Sequence, residues 1–282
     1  MPARAARGRD SVSGFARATA PFARRLLRVT GVDPLGAYQL LRAADDEGPE
    51  PAPGQFLMLA AAERWGGGAD GRPYLPRAFS IARRRTGESH FLLEDVGPGT
   101  HRLAELRPGE ALWALGPLGR GFSAPAAGKR AILIGGGAGI APLAILQDTL
   151  ELEATVLVGF RDAAHAGGAE LLRGARVATD DGSIGHRGPC TDLLAAELGR
   201  DPDAVVYACG PPAMLEAVRA MCASLAIEAQ LALETGMACG FGACFGCAVP
   251  RLDGGYLRAC VDGPVIDAAV LERVPEAVGA HP

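Results

Sequence analysis

Cys239, Cys244, Cys247 and Cys260 are separated by four, two and twelve residues, and Gly240, Gly242 and Gly246 stand between the first three thiols. Thiols so spaced can bridge as disulfides, hold zinc, or hold iron together with sulfide. Bridging is disfavoured, because Cys244 and Cys247 are too close for an ordinary disulfide and seven cysteines without a signal peptide suggest a reducing compartment. Zinc usually takes two facing Cys-x2-Cys knuckles, and only Cys244 and Cys247 make one. Cys-x4-Cys-x2-Cys with a later cysteine is the plant-type 2Fe-2S spacing, although the last gap is shorter than in a plant ferredoxin. Glycines between the thiols let backbone N–H groups approach bridging sulfides, which spreads negative charge and tunes the potential. An iron–sulfur cluster is the favoured reading, with zinc and inert buried thiols as alternatives.

Two further constellations precede the thiols. Arg77-Ala78-Phe79-Ser80 puts a cation and a hydroxyl three apart at the start of a strand, and Gly97-Pro98-Gly99-Thr100 opens a short helical stretch, Thr100 to Glu105. N–H groups at that helix start, with the Thr100 hydroxyl, suit a pyrophosphate. Alone, each signal is weak, since an arginine in a strand is commonly a solvated face and Gly-Pro-Gly-Thr commonly a turn. Gly135-Gly136-Gly137-Ala138-Gly139-Ile140-Ala141-Pro142 follows an apolar strand and opens a helix, so the backbone can meet a pyrophosphate unobstructed. It is not the GxGxxG fingerprint. Cys209-Gly210-Pro211-Pro212 ends a later strand in the same way; in isolation Cys209 reads as a small buried hydrophobe.

The elements that must position these groups fall into two patterns. Six short apolar or alternating segments, Arg25 to Thr30, Ala37 to Arg42, Gln55 to Ala60, Ala78 to Ala82, His90 to Val96 and Ala111 to Leu115, predict a small antiparallel barrel. The glycine-rich stretch from Ala61 to Leu75 reads as a mobile loop. From Lys129 strands and helices alternate: strands over Ala131 to Ile134, Ala154 to Val158, Ala175 to Thr179 and Val205 to Ala208, and helices over Ala138 to Leu150, Gly168 to Arg173, Thr191 to Leu198 and Pro212 to Ala226. That alternation predicts a doubly wound α/β half with a parallel sheet, whose ligands lie at the carboxyl ends of the strands.

Composition bounds the partners. The net charge of -4 argues against a nucleic-acid footprint, and the single lysine beside 27 arginines reads as base composition. The longest apolar run, Ala131 to Leu146, contains glycines and a proline and is too short to span a bilayer, so no membrane role is expected and the protein reads as soluble and cytoplasmic. Residues 1–20, rich in Arg and Ala, read as a disordered extension, although transit peptides share that composition.

Taken in order, the Arg-x-x-Ser strand, the glycine–threonine turn, Gly-Gly-Gly-x-Gly-Ile-Ala-Pro, Cys-Gly-Pro-Pro and the cysteine cluster resemble the ferredoxin reductase superfamily. Met237 to Cys247, Gly116 to Phe122 and Thr179 to Ser183 resemble more closely the electron-transfer subunits of the two-subunit, NAD-dependent dihydroorotate dehydrogenases, over nearly all of residues 20–270. The resemblance implies an antiparallel FAD-binding barrel (residues 21–126), a doubly wound NAD-binding half (127–230) and a small C-terminal 2Fe-2S cluster domain (231–282). It implies that Arg77 meets an FAD phosphate and Ser80 approaches flavin N5, with Ala78 in place of the usual proline and Phe79 between them. Leu92, Leu93 and Glu94 align with a flavin-touching stretch, where Glu94 replaces a frequent basic residue. Gly99 and Thr100 match the pyrophosphate turn. Gly136, Gly137, Gly139 and Ile140, with Cys209, Gly210 and Pro211, are expected to hold nucleotide, and Cys239, Cys244, Cys247 and Cys260 match all four cluster ligands.

The resemblance further implies an oxidoreductase of pyrimidine biosynthesis whose chemistry is borne by cofactors, with NAD as diffusible acceptor. Its partner would be an FMN-containing catalytic subunit, two of each forming a heterotetramer, and the loop 239–247 would face it through Phe241 or Phe245. The alternative within the superfamily is the small subunit of an NADH-dependent ferredoxin:NADP oxidoreductase or a sulfide dehydrogenase complex, where an Asp commonly replaces one cysteine. A non-enzymatic iron–sulfur module would not need both nucleotide sites. Arg161 could meet a 2′-phosphate while Asp162 could bind a ribose hydroxyl, so residue types leave NAD and NADP both open. Cys190 and Cys222 read as structural.

Overall fold

The computed structural model describes residues 24–66 and 72–275. The expected extension over residues 1–20, and the centre of the loop expected between Ala61 and Leu75, lie outside them. Among the described residues no helix is long and apolar enough to cross a membrane.

The first sheet is antiparallel, built from β1 (Arg25–Leu35), β2 (Tyr38–Ala44), β3 (Phe56–Ala61), β4 (Arg77–Ser80), β5 (Arg83–Arg85), β6 (Glu88–Leu93) and β7 (Ala111–Leu118), in the order β4-β3-β7-β1-β2-β6-β5. β1 follows the period of two, with Leu27 and Val29 buried and Leu26 half-exposed between outward arginines. β3 has almost no polar alternation because both of its faces are covered. Leu57 and Leu59 point into the barrel core with Phe91 and Leu112, whereas Phe56 and Met58 pack with Cys247, Val249 and Cys260 of the C-terminal segment. The apolar run in β3 therefore seats the thiols against the barrel. A short helix, α1 (Pro98–Ala104), connects β6 to β7.

The second sheet carries β8 (Arg130–Gly136), β9 (Ala154–Phe160), β10 (Arg176–Thr179), β11 (His186–Arg187), β12 (Ala204–Cys209), β13 (Glu228–Ala232) and β16 (Val265–Asp267), ordered β11-β10-β9-β8-β12-β13-β16. All pairings are parallel except that of β16 on β13. β8 is buried on both faces, Ile132 and Ile134 toward one core and Ala131 and Leu133 toward the other, as a central parallel strand must be. The helices α2 (Ala141–Thr149), α3 (Ala163–Ala166), α4 (Cys190–Arg200) and α5 (Pro212–Ser224) pack around it. β13 leads into residues 233–264, which hold the thiols and the hairpin β14 (Ala248–Pro250) and β15 (Tyr256–Arg258), before β16 brings the chain back.

The expected helix over Ala138 to Leu150 begins instead as a 3-10 turn, Gly137–Ile140, because Gly137 has φ +54 and Pro142 admits a regular helix only from its first turn. The expected Gly168 to Arg173 helix is displaced to α3 plus a 3-10 turn over Gly167–Leu171, since Asp162 caps the earlier start by accepting the His165 N–H at 3.0 Å.

Residues 119–123 join the sheets. Phe122 meets Tyr207 edge to face at 5.6 Å, the Tyr207 hydroxyl donates to the Ser123 carbonyl, and buried Gln230 accepts the Ser123 N–H at 2.8 Å. Gln230→Leu strands that N–H and is expected to cost about 1–2 kcal/mol, read as a lower midpoint in denaturant unfolding; an unchanged midpoint would show that the clamp does not hold the two sheets.

Candidate cofactor sites

The chain leaves β8 toward β9 on one side and later crosses to β12 on the other, so β8 and β12 flank the switch point of the sheet. Their two glycine turns meet there. A Cβ on Gly139 would stand 2.6 Å from the Gly210 Cα and 2.7 Å from the Cys209 carbonyl oxygen, and one on Gly136 would stand 2.9 Å from Pro211 Cδ. These close approaches leave bare backbone at the carboxyl ends of the strands, where nucleotides bind such sheets.

A cavity of about 520 Å³ opens above that point, and it joins all three parts of the chain. The barrel gives Arg77, Ala78, Phe79, Ser80, Leu92, Glu94 and Thr100; the α/β half gives Gly136, Gly137, Gly139 and Pro211; the C-terminal segment gives Glu234, Thr235 and Met237. Arg77 lies across the first turn of α1, so near that a Cβ on Gly99 would stand 2.5 Å from its Nε, and its Nη1 donates to the Leu75 carbonyl. The Thr100 hydroxyl is already engaged, accepting the Val96 N–H at 2.9 Å and donating to the Gly97 carbonyl at 3.0 Å, so it shapes the turn instead of standing free for phosphate.

The remaining expected residues sit behind this surface. Leu93 belongs to the barrel core, Ile140 and Cys209 to the core of the α/β half, and Gly99 and Gly210 are buried turn positions. Burial, with Glu234 adding to it, pushes the Cys209 thiol well up, so it stays neutral. Burial likewise raises Cys190 to about 12 and Cys222 to about 11, as expected of structural thiols. Glu234 and Thr235 carried no signal in the sequence because they follow an unpredicted strand, β13. Glu234 opens into the cavity while protein crowds it on its other sides, and that desolvation raises its carboxyl. Thr235 Oγ1 is buried without a hydrogen-bond partner at the cavity wall. A flavin fits this set: its ring offers polar edges for Thr235 and an apolar face for Phe79 and Leu92, and its phosphates offer charge for Arg77.

The four thiols stand in two pairs. Cys247 Sγ and Cys260 Sγ are 3.2 Å apart and buried, and the Cys260 N–H points at Cys247 Sγ at 3.5 Å. Cys239 and Cys244 are hydrogen-bonded to each other nearer the surface. Burial opposes ionisation of Cys239, but N–H groups of Cys244, Phe241 and Ala243 together with the Cys244 thiol outweigh it and bring Cys239 down to about 6. Burial and the Cys247 sulfur raise Cys260 to about 12. Among the described residues no three such side chains converge as a single metal ion requires. Two thiol pairs with N–H groups turned toward sulfur match the donor set of a two-iron cluster, one pair to each iron. The loop achieves this with Gly240 at φ +78 and Gly242 at φ +89, and a Cβ on Gly240 would stand 2.5 Å from Met58 Cγ.

Phe241 and Phe245 ring this loop at 40 % and 62 % exposure. Phe245 has φ +59, and Arg258 lies 5.3 Å over its ring.

Comparison with known proteins agrees with this geometry. The family described as "Iron-sulfur cluster binding domain of dihydroorotate dehydrogenase B" matches residues 234–272. The chain is 36 % identical over 224 residues, 78 % of its length and 86 % of the relative's, to the dihydroorotate dehydrogenase B (NAD(+)) electron transfer subunit of Caldanaerobacter subterraneus. It is 34 % identical over 256 residues to that of Desulforamulus reducens, covering 86 % of this chain and 95 % of the relative, and 38 % identical over 229 residues to that of Bacillus caldolyticus, covering 77 % and 85 %. In fold it is similar to the solved structure of an NADH-dependent reduced ferredoxin-NADP oxidoreductase, with TM-score 0.73 and 23 % identity over 88 % of this chain and 90 % of that one, and to a ferredoxin reductase of carbazole 1,9a-dioxygenase, with TM-score 0.64 and 24 % identity over 74 % and 67 %.

Proposed function

Since the chain belongs to the family of electron transfer subunits of dihydroorotate dehydrogenase B (NAD(+)), we propose that it connects a separate FMN-containing catalytic subunit, which oxidises dihydroorotate, to NAD as the diffusible acceptor. The pair would act in pyrimidine biosynthesis as a heterotetramer of two of each. The observation that carries this reading is the shared cavity, to which barrel, glycine turns and the residues just before the first thiol all contribute.

When bound, a 2Fe-2S cluster exchanges single electrons and a flavin exchanges one or two, which is what linking two such partners requires. The chain's own residues supply position and field. Arg77 offers a guanidinium to phosphate, Ser80 and Thr235 offer hydroxyls at the cavity wall, and Phe56, Phe79 and Leu92 exclude water from it. Gly136, Gly137 and Gly139 keep the adjacent backbone open for a nicotinamide dinucleotide. Cys239, Cys244, Cys247 and Cys260 would hold the irons, and Met237 brings their loop to the cavity edge.

The test is NAD reduction driven by dihydroorotate, with this chain purified anaerobically together with the same organism's FMN-containing subunit. Turnover that needs both proteins supports the proposal. A pair that stays inactive although flavin and iron are present sinks the pyrimidine assignment.

Phe245 is the candidate partner contact, as an aromatic held outward beside the thiols. Phe245→Ala is expected to weaken subunit association about tenfold with iron content unchanged, measured by sedimentation and iron assay. Loss of iron would instead assign the ring to packing around the thiols.

A further inference from the structure

A second cavity, of about 280 Å³, lies at the carboxyl ends of β9 and β10 and shares Glu94, Gly136, Gly137 and Pro211 with the first. Its outer wall carries Arg161, His165 and Asp180. A dinucleotide whose pyrophosphate lies on the glycine turn places its adenosine ribose near the end of the next strand, where an acidic side chain accepts a 2′-hydroxyl or an arginine takes a 2′-phosphate. The residue types allow both. The geometry distinguishes them.

Arg161 is already matched by carboxylates. Its Nη2 is 3.4 Å from Glu94 Oε1, its Nε is 3.6 Å from Asp162 Oδ2, and its Nε also meets His165 Nδ1 at 3.2 Å. Glu94 comes from the barrel and also lies 3.3 Å from His165 Nε2, so it crosses between the two halves of the chain to reach this group. Tyr38 stands edge-on to His165 at 5.6 Å and fixes the ring from below. On the other side the residues after β10 run beside Arg161: the Asp180 N–H donates to the Phe160 carbonyl and the Asp181 N–H to the Arg161 carbonyl, and Asp180 adds one more acidic residue to the cavity wall. A 2′-phosphate there would meet the carboxylates of Glu94 and Asp180 on the cavity wall, with Asp162 held against Arg161, opposite one arginine and one histidine among the lining residues. Arg161 is 65 % exposed, so its ion pairs add little to stability. Their effect falls on discrimination, which is a difference between two ligands and responds to like charges.

We propose that Glu94 is a specificity-determining residue: by engaging Arg161 and His165 from the barrel, it reserves the second cavity for an adenosine with a free 2′-hydroxyl and turns away the 2′-phosphorylated one. This rests on the reading of the glycine turns as a nicotinamide dinucleotide site.

The experiment compares AMP and 2′,5′-ADP by calorimetry on the flavin- and iron-loaded chain, alongside flavin bleaching by NADH and NADPH. Wild type is expected to favour AMP at least tenfold and to be bleached by NADH. In Glu94→Gln the ratio of the two dissociation constants should fall at least fivefold, and adding Arg161→Ala to Glu94→Gln should restore it, because the freed guanidinium is what the phosphate gains. Equal affinity for the two nucleotides in wild type, or a ratio unmoved by Glu94→Gln, overturns the proposal while leaving the dinucleotide site intact. No binding of either nucleotide together with no bleaching by either cofactor overturns the site reading itself.

Discussion

Cys247→Ser is expected to abolish dihydroorotate-driven NAD reduction by the two-subunit enzyme, a fall of at least about a hundredfold, while NADH-driven reduction of a dye at the flavin survives. Cys247 is 3 % exposed, stands 3.2 Å from Cys260 and faces its N–H. A serine hydroxyl there is a hard, weakly acidic donor in a site shaped for soft thiolates. The sulfur of Cys260, left without its neighbour, cannot hold an iron alone. Iron content and the visible spectrum should fall with the activity. Full activity in a protein that has lost its iron would show that electrons bypass this loop.

Gly139→Ala is expected to cost about 3 kcal/mol or more and to empty the flavin site. The added Cβ would stand 2.6 Å from the Gly210 Cα and 2.7 Å from both the Gly210 N and the Cys209 carbonyl oxygen. These are backbone atoms at the end of the central strand β12, and they cannot rotate aside as a side chain would. The two turns must part, and the cavity wall that both form parts with them. Thermal unfolding with and without added FAD, and flavin content after purification, measure the two effects. Gly199→Ala is the control: nothing lies within 4 Å of its added Cβ, it sits in α4, and it is expected to be neutral or to gain up to about 1 kcal/mol. If Gly139→Ala matched that control, the close approach of the turns would be immaterial.

Period and punctuation made much of the architecture legible. Apolar runs or alternation announced the six longer strands of the first sheet, and the triple glycine after Ile134 announced the turn at the switch point. Short strands were missed where neither signal operates. β5 is Arg-Arg-Arg, whose side chains are held by Ser89, Asp148 and backbone carbonyls, so nothing apolar marks it as sheet. β16 follows the thiol segment and pairs only because the chain returns to β13, a fact of topology that no local pattern encodes. The site divided in the same way. The cysteine spacing and the Arg-x-x-Ser strand were readable because they are contiguous. Glu234, Thr235, Tyr38 and His165 were not, because each joins a cavity wall through an element whose neighbours lie far off in sequence.

The return of β16 to β13 makes residues 233–264 a closed excursion between two hydrogen-bonded neighbours, not a tail hung from the end of a sheet. Its ends are pinned by the Gln230–Asp267 to Ala232–Val265 register, so most of the entropy of closing the loop is spent before any thiol meets metal. Without metal, the excursion is expected to loosen from Phe56 and Met58 of β3 before the sheet itself opens. Assembly of the iron site becomes an event that a finished scaffold can undergo, lose and repeat. Limited proteolysis should find the apo-protein nicked first between β13 and β16, with the two pieces still held together by the strands on either side.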